Sequence, residues 1–145
     1  MTTTLPETGP AALYAEVQQF YAEHMHALDG GDADAWAATF TEDATFEAPS
    51  TPQPVTGRVA LAAAVRRTAG ELAAAGEVHR HWHGMVAVYP QPDGSVSARC
   101  YALVVATPRG GAPRLHRACV CHDVVVHRDG RWLVHRRRFT RDDLP

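Results

Sequence analysis

Residues 58–90, RVALAAAVRRTAGELAAAGEVHRHWHGMVAVYP, contain the point at which the hydrophobic pattern of this chain changes. Over residues 58–75 apolar side chains recur every three or four positions, which predicts a helix with one buried face. The expected buried side comprises Val59, Leu61, Ala62, Val65 and Leu72. From Glu77 onward side chains alternate with period two, which predicts β-strands. Four strand-like runs separated by turn residues are predicted at 78–89, 95–107, 114–127 and 131–140.

The N-terminal half predicts two further helices. A helical stripe starts at Pro10 and ends at the Gly30-Gly31 pair, which is typical of a helix C-terminus. Asp32 then fits the N-cap of a short second helix that carries Trp36, Ala37 and Phe40. A short strand is expected at Ala44–Ala48 and a proline-rich loop at Pro49–Gly57.

Helices followed by a run of long strands indicate an α+β fold. We expect three N-terminal helices packed on a strongly curved, mainly antiparallel sheet. Such a cone encloses a cavity, and a cavity of this kind is the usual place for a small-molecule site. Residues 1–10 are predicted as a disordered N-terminal tail and residues 11–145 as a single domain.

Composition limits the classes of partner. The 145 residues carry a net charge of −2, which provides no overall attraction to nucleic acid. No apolar run is long enough to span a bilayer, and residues 1–10 lack the features of a secretion signal. The three cysteines have no metal-type spacing and favour a reducing cytoplasm. We therefore expect neither a nucleic acid nor a membrane as partner.

The alternating histidines at the start of the first long strand are the clearest chemical signal. His79, His81 and His83 fall on one strand face. A three-histidine metal site and ordinary surface histidines are both alternatives, but the three positions spread over about 13 Å, which is too far for one ion. We favour a general acid/base that faces the cavity, with Asp29 at the end of the first helix as its orienting carboxylate.

The order and spacing of four motifs resemble the SnoaL-like branch of the NTF2-like superfamily. The motifs are Leu28-Asp29-Gly30-Gly31-Asp32, Phe40-Thr41-Glu42-Asp43, Arg80-His81-Trp82-His83-Gly84 and Asp129-Gly130-Arg131-Trp132. That branch includes polyketide cyclases, scytalone dehydratase and the dehydratases of actinorhodin-type pathways. The resemblance implies a cone fold and a catalytic pair formed by Asp29 and His81.

The chain also departs from scytalone dehydratase, in which two tyrosines hold a water against the substrate carbonyl. Leu28 stands at the first of these positions, and the second falls near Phe46 or Ala48. Cys119 and Cys121 correspond to a serine and an asparagine of that enzyme. We therefore expect a different substrate.

Further residues are candidates for the site. Tyr101 is a candidate donor to an enolate-like oxygen, with core packing as the alternative, and we count it with His81 and Asp29 as catalytic. The expected substrate-binding residues are His79, His83, Trp36, Phe46, Met85, Cys119, Cys121 and Asp123. By strand parity, His116 and His122 should point away from the cavity. The segment Arg136–Arg138 is expected in surface or dimer ion pairs, or alternatively at an acidic substrate group.

The function that these features predict is that of a cofactor-independent dehydratase or cyclase, with no metal, acting on an aromatic polyketide-type intermediate. The alternatives are a non-catalytic small-molecule-binding or oligomerisation module of the same fold, and an isomerase or epoxide-opening cyclase. The long strands carry apolar residues on both faces, and helices can cover only one. A homodimer formed through the outer sheet face is therefore expected.

Overall fold

The computed structural model describes residues 9–145. Its helices are α1 (Pro10–Asp29), α2 (Ala33–Ala37) and α3 (Arg58–Ala75). Its strands are β1 (Phe40–Glu47), β2 (Val55–Thr56), β3 (Glu77–Pro90), β4 (Val96–Pro108), β5 (Arg114–Arg128) and β6 (Arg131–Arg141). The predicted N-terminal tail falls mainly on residues 1–8, which lie outside the described part, and Pro10 already belongs to α1.

Local sequence signals account for the helix boundaries. Pro10 occupies the first turn of α1, where its missing N–H is not needed. The side chain of Asp32 caps α2 by accepting a hydrogen bond from the Ala35 N–H at 3.1 Å. Gly76 ends α3 with φ of 65°, a left-handed conformation that suits glycine, and β3 begins at the next residue.

The six strands form one mixed sheet in the order β2-β1-β6-β5-β4-β3. Neighbouring strands are antiparallel, except that β1 pairs with β6 in parallel. The helices cover one face of the sheet, and the buried side chains of α1 and α3 join those of the sheet in one hydrophobic core. This arrangement confirms the predicted α+β class, and the sheet is not closed. None of the helices in residues 9–145 has both the length and the hydropathy of a membrane-spanning segment.

Three details of the predicted elements are wrong. Phe40 is the first residue of β1 and not part of α2, so β1 begins four residues earlier than expected. The expected loop contains the short strand β2, which pairs with the end of β1. Val59 is 86% exposed because the first turn of α3 turns that position to solvent, away from the core.

Besides an irregular register between β1 and β6, three bulges in the antiparallel pairings change which side chains face inward. The register shifts between Gly84 and Ala87 in β3, and Met85 there has a positive φ of 52°. A second shift in the β4–β5 pairing inserts His116 as an extra residue of β5. A third, in the β5–β6 pairing, inserts His135 as an extra residue of β6. Each bulge reverses the parity of its strand and bends it, which helps the sheet to curve around the helices.

Candidate active site

A cavity of about 590 Å³ lies between the helices and the inner face of the sheet. Its walls come from the C-terminal end of α1, from α3, and from strands β1 and β3 to β6. The volume falls in the range of small-molecule sites, and much of the lining is apolar. The expected cavity is therefore present.

Asp29 and His81 meet at the wall of this cavity. The His81 Nδ1 lies 2.7 Å from Asp29 Oδ1, and the His81 backbone N–H donates to Asp29 Oδ2 at 3.1 Å. The pair forms because Asp29 is the last residue of α1 and His81 lies near the start of β3, where the two elements pack together. Their side chains are 10% and 27% exposed, so the pair is largely withdrawn from solvent.

The hydrogen bonding determines which nitrogen of His81 is free for chemistry. A carboxylate only accepts hydrogen bonds, so the Nδ1 of neutral His81 carries the proton that Asp29 receives. The opposite nitrogen, Nε2, then holds a lone pair. The arrangement is that of a general base oriented by a carboxylate, which can accept a proton and return it elsewhere.

The neighbouring histidines line the same cavity but have different partners. The Nε2 of His79 lies 3.0 Å from Glu77 Oε2, and its ring packs against His116 at 5.0 Å between ring centroids. The Nδ1 of His83 lies 3.6 Å from the Cys100 sulfur. In the described chain the three histidines of β3 thus do not converge on one point, and the three-histidine metal alternative finds no support in their placement.

The remaining candidates divide between the cavity wall and other places. Trp36, Phe46 and Cys119 line the cavity as expected. Tyr101 does not line the cavity, because the even-numbered positions of β4 face inward along the whole strand. Tyr101 is 45% exposed on the outer face, and its ring lies beneath the Arg99 guanidinium.

Met85, Cys121 and Asp123 also lie outside the cavity wall. Met85 is 74% exposed because the bulge in β3 turns it outward. Cys121 and Asp123 face inward but are completely covered, as part of the core beneath the cavity.

Comparison with known proteins gives the family. The model of the SnoaL-like domain matches residues 10–138, which is most of the chain. The chain belongs to the SnoaL-like domain family. The resemblance found in the sequence motifs is confirmed, and the same fold occurs in a solved NTF2-like protein. A comparison with curated proteins finds no match.

Three solved SnoaL-like relatives align over nearly the whole chain. ActVI-ORFA from Streptomyces coelicolor is 35% identical, with coverage of 94% of this chain and 99% of its own and a TM-score of 0.86. Aln2 from a Streptomyces species is 38% identical, with 94% coverage of each chain and a TM-score of 0.85. A Catenulispora acidiphila protein in complex with S-DNPA is 38% identical, with coverage of 92% and 96% and a TM-score of 0.78.

A buried polar network supports the floor of the SnoaL-like cavity. Arg137, which is 1% exposed, donates to both oxygens of Asp123 at 2.9 and 2.8 Å, and Tyr21 donates to the same carboxylate at 2.7 Å. The Arg137 Nη1 also donates to His24 Nε2 at 2.8 Å. Since Thr39 donates its hydroxyl proton to a backbone carbonyl, His24 Nδ1 is the donor in its bond to Thr39.

This network holds His24 neutral and Asp123 ionised. Burial lowers the pKa of His24 well below its ordinary range, and the adjacent Arg137 charge lowers it further. Burial alone would raise the pKa of Asp123, but the charge and hydrogen bonds of Arg137, with the Tyr21 hydroxyl, keep it below its ordinary range. Both partners of Arg137 are therefore in the protonation state that the guanidinium prefers.

Arg137 and His116 are cavity residues whose placement the sequence interpretation missed. Arg137, like Arg136 and Arg138, was expected in a surface or dimer ion pair. Only Arg136 and Arg138 are exposed, and Arg137 faces inward opposite Asp123. His116 was expected to point outward, but the bulge at its own position turns it into the cavity wall. His122, beyond that bulge, lies on the outer face as expected and is partly buried there.

One polar atom in the cavity wall has no protein partner. The indole N–H of Trp36 is buried, and it is the single buried side-chain donor left unpaired in residues 9–145. An unpaired buried donor costs about 1–3 kcal/mol, so a ligand acceptor that reaches it would gain that energy. Since Trp36 is a residue of the cavity wall, its indole N–H is a candidate donor to a ligand there.

Proposed function

We propose that this SnoaL-like protein is a cofactor-independent dehydratase or cyclase that acts on an aromatic polyketide-type intermediate. The observation that carries the proposal is the contact between Asp29 and His81 at the wall of the cavity. A protein that only binds a ligand does not require a carboxylate and an imidazole paired in this way. A histidine general acid/base uses both, the imidazole to exchange protons and the carboxylate to orient it.

The proposed elimination uses the neutral and then the protonated form of the His81 imidazole. The Nε2 lone pair removes a proton from the substrate carbon next to a carbonyl group, and the electron pair of that C–H bond forms a double bond. The carbon–oxygen bond of the leaving hydroxyl then breaks, and the protonated imidazole returns its proton so that water departs. For a cyclisation the same imidazole deprotonates the attacking group and protonates the oxygen that receives the charge.

Asp29 and Trp36 act as the supporting groups. Asp29 fixes the ring of His81 through two hydrogen bonds, one to Nδ1 and one to the backbone, and stabilises the imidazolium that forms in the reaction. The free indole N–H of Trp36 donates to a substrate oxygen. Leu28, Phe46 and Ala48 line the cavity with carbon only, so these positions provide no hydroxyl to hold a water against the substrate.

The proposed substrate class rests on the cavity and on the relatives. The aromatic rings of Trp36, Phe46 and Phe139 line a space suited to a planar apolar ligand. The solved relative from Catenulispora acidiphila is in complex with the small molecule S-DNPA. The family resemblance implies aromatic polyketide chemistry, and we carry that implication to this chain.

The test compares His81→Asn with His79→Asn. Both histidines lie on β3 and line the cavity, but only His81 contacts Asp29. With an aromatic polyketide intermediate as substrate, His81→Asn should lower kcat by about 10²- to 10⁴-fold, as loss of a general acid/base does. Asp29→Asn should cost less because it retains the shape, and His79→Asn should stay within a few-fold of the parent.

The outcomes separate the proposal from its alternatives. Full activity of His81→Asn, or an equal loss in His79→Asn, would contradict the assigned base. Tight binding of aromatic ligands without turnover would indicate a binding module. A product that retains the mass of the substrate and its ring count would indicate an isomerase.

We also propose that the protein is a homodimer in the reducing cytoplasm. The outer face of β3 to β5 exposes large apolar side chains that the helices do not cover, and a twofold copy of the same face can bury them. These side chains are Trp82, Met85, Tyr89, Tyr101 and Leu115. All three cysteines are free thiols, as a reducing compartment allows. Sedimentation of a monomer at micromolar concentration would contradict the dimer.

A further inference from the structure

Three side chains from adjacent strands meet beneath the cavity, away from the Asp29–His81 pair. His83 comes from β3, Cys100 from β4 and Cys121 from β5. The two cysteines are direct partners in the β4–β5 register. One ligand atom of each residue lies within 4.8 Å of the others, and His83 Nδ1 is 3.6 Å from the Cys100 sulfur.

We propose that His83, Cys100 and Cys121 bind a thiophilic divalent cation, for which Zn²⁺ is the best-fitting ion. Two sulfurs and one imidazole nitrogen are ligands that Zn²⁺ prefers. Ligand atoms around a tetrahedral Zn²⁺ lie roughly 3.3–3.8 Å apart, which follows from bond lengths of about 2.0–2.3 Å. The separation of His83 from Cys100 already matches, and the remaining separations are at most 4.8 Å, about 1 Å longer than in a zinc site.

The charges of the site balance when the ion binds. Each thiol gives up its proton to solvent, and two thiolates neutralise the two positive charges of the ion. The Cys121 thiol donates to Asp123 Oδ1 at 3.2 Å, and Asp123 is in turn paired with Arg137. The two thiolates and the ion together add no net charge to this buried region.

The cavity provides the route to this site. The two cysteines are 1% and 0% exposed, but His83 lines the cavity wall. An ion that enters the cavity reaches the imidazole first and then the sulfurs. Three protein ligands leave the fourth position of a tetrahedral ion for water. The inference does not rest on the proposed function, since neither His81 nor Asp29 is a ligand.

The test is titration of the reduced, metal-free protein with Co²⁺, which reports thiolate ligands by sulfur-to-cobalt charge-transfer absorption and tetrahedral geometry by strong visible bands. We expect both signals to saturate at one ion per chain and to disappear when Zn²⁺ is added. In Cys100→Ser and Cys121→Ser the charge-transfer band should weaken or vanish. In His83→Asn the Kd for Co²⁺ should rise by more than about 100-fold. Loss of a residue that only hydrogen-bonds to a metal ligand usually raises the Kd by less than this.

Cys119→Ser is the matched control. Cys119 is a buried thiol on the same strand, two residues from Cys121, but it is not part of the cluster. It should leave the spectrum and the stoichiometry unchanged, as should His79→Asn. Zn²⁺ at 100 times its Kd should also lower the unfolding equilibrium constant of the parent protein about 100-fold.

Several results would overturn the proposal. The first is absence of the charge-transfer band in the parent protein at equimolar Co²⁺, which requires no variant to fold. The others are an unchanged Kd in His83→Asn and loss of the signal in Cys119→Ser. If the Cys100 and Cys121 variants do not fold, the spectra of the parent, of His83→Asn and of Cys119→Ser still decide the matter.

Discussion

The buried ion pair between Asp123 and Arg137 leads to a quantitative prediction about stability. Both side chains are essentially inaccessible, at 0% and 1% exposure, and two charge-assisted hydrogen bonds join them. Asp123→Asn preserves the shape of the side chain but leaves the Arg137 cation buried without its counter-ion. Breaking a buried pair in this way costs about 3–5 kcal/mol. The free energy of unfolding of a domain of this size is about 5–15 kcal/mol, so the variant loses about a fifth of its stability or more.

Urea unfolding followed by circular dichroism measures this loss. With an m-value of about 2 kcal/mol/M, the midpoint should fall by about 2 M. The control is Asp34→Asn, which removes an exposed ion pair with Arg66 and should leave the midpoint nearly unchanged. Asp123→Leu combined with Arg137→Met should recover much of the loss, because no charge then remains buried. Equal midpoints for Asp123→Asn and Asp34→Asn would refute the reasoning.

The same pair predicts a dependence on acid. The pKa of Asp123 is lower in the folded protein than its unfolded value of about 3.9. The contribution of Asp123 to the free energy of unfolding is therefore complete above about pH 3.9 and is lost as the pH falls through the folded pKa. The stability difference between the parent and Asp123→Asn should therefore be constant from pH 5 to 7. It should shrink only below about pH 4.

His24 is buried in the neutral form, and its pKa in the folded protein is depressed. Its contribution to the free energy of unfolding is therefore present above the unfolded pKa of about 6.5 and is lost on acidification. From pH 7 to 5 the parent should lose more stability than His24→Gln in urea unfolding, and equal losses would contradict this. Trp36→Phe removes the unpaired indole N–H, so calorimetry should show that aromatic ligands bind about tenfold more weakly. An unchanged affinity would mean that the ligand does not use this donor. In Gly84→Ala the new Cβ would lie 2.3 Å from the Trp82 ring and displace it from the outer face. Sedimentation should then show at least about tenfold weaker dimerisation, and parental behaviour would exclude Trp82 from the interface.

Much of the fold could be predicted because its signals are local. The bounds of α3 match the predicted residues 58–75, and each long strand agrees with its prediction to within a residue. The cap at Asp32 was also predictable, since a capping side chain acts only on the next few residues. The prediction failed at Phe40, where pairing of β1 with β6 extends the strand into the expected helix. That pairing joins residues far apart in sequence and leaves no local trace.

The contact between Asp29 and His81 was predictable for a different reason. Asp29 ends a helix with a charge that the helix dipole disfavours, and that unfavourable placement indicates a partner elsewhere. His81 lies before the bulge of β3, so counting alternate positions from the start of the strand correctly predicts the face on which it lies. The cluster of His83, Cys100 and Cys121 was not predictable, because its members come from three strands and meet only through the register.

The sequence by itself determined the periodicity of every long element, and therefore the α+β class and the order of helices and strands. The tertiary structure alone decided which of the two faces of each strand lies toward the helices beyond its bulge. Met85 turned outward and His116 turned inward for this reason, and Arg137 moved from an expected surface pair into the core. A side-chain pattern with period two is the same for either face, and a single inserted residue exchanges them. The position of that residue depends on how the neighbouring strands bend around the helices.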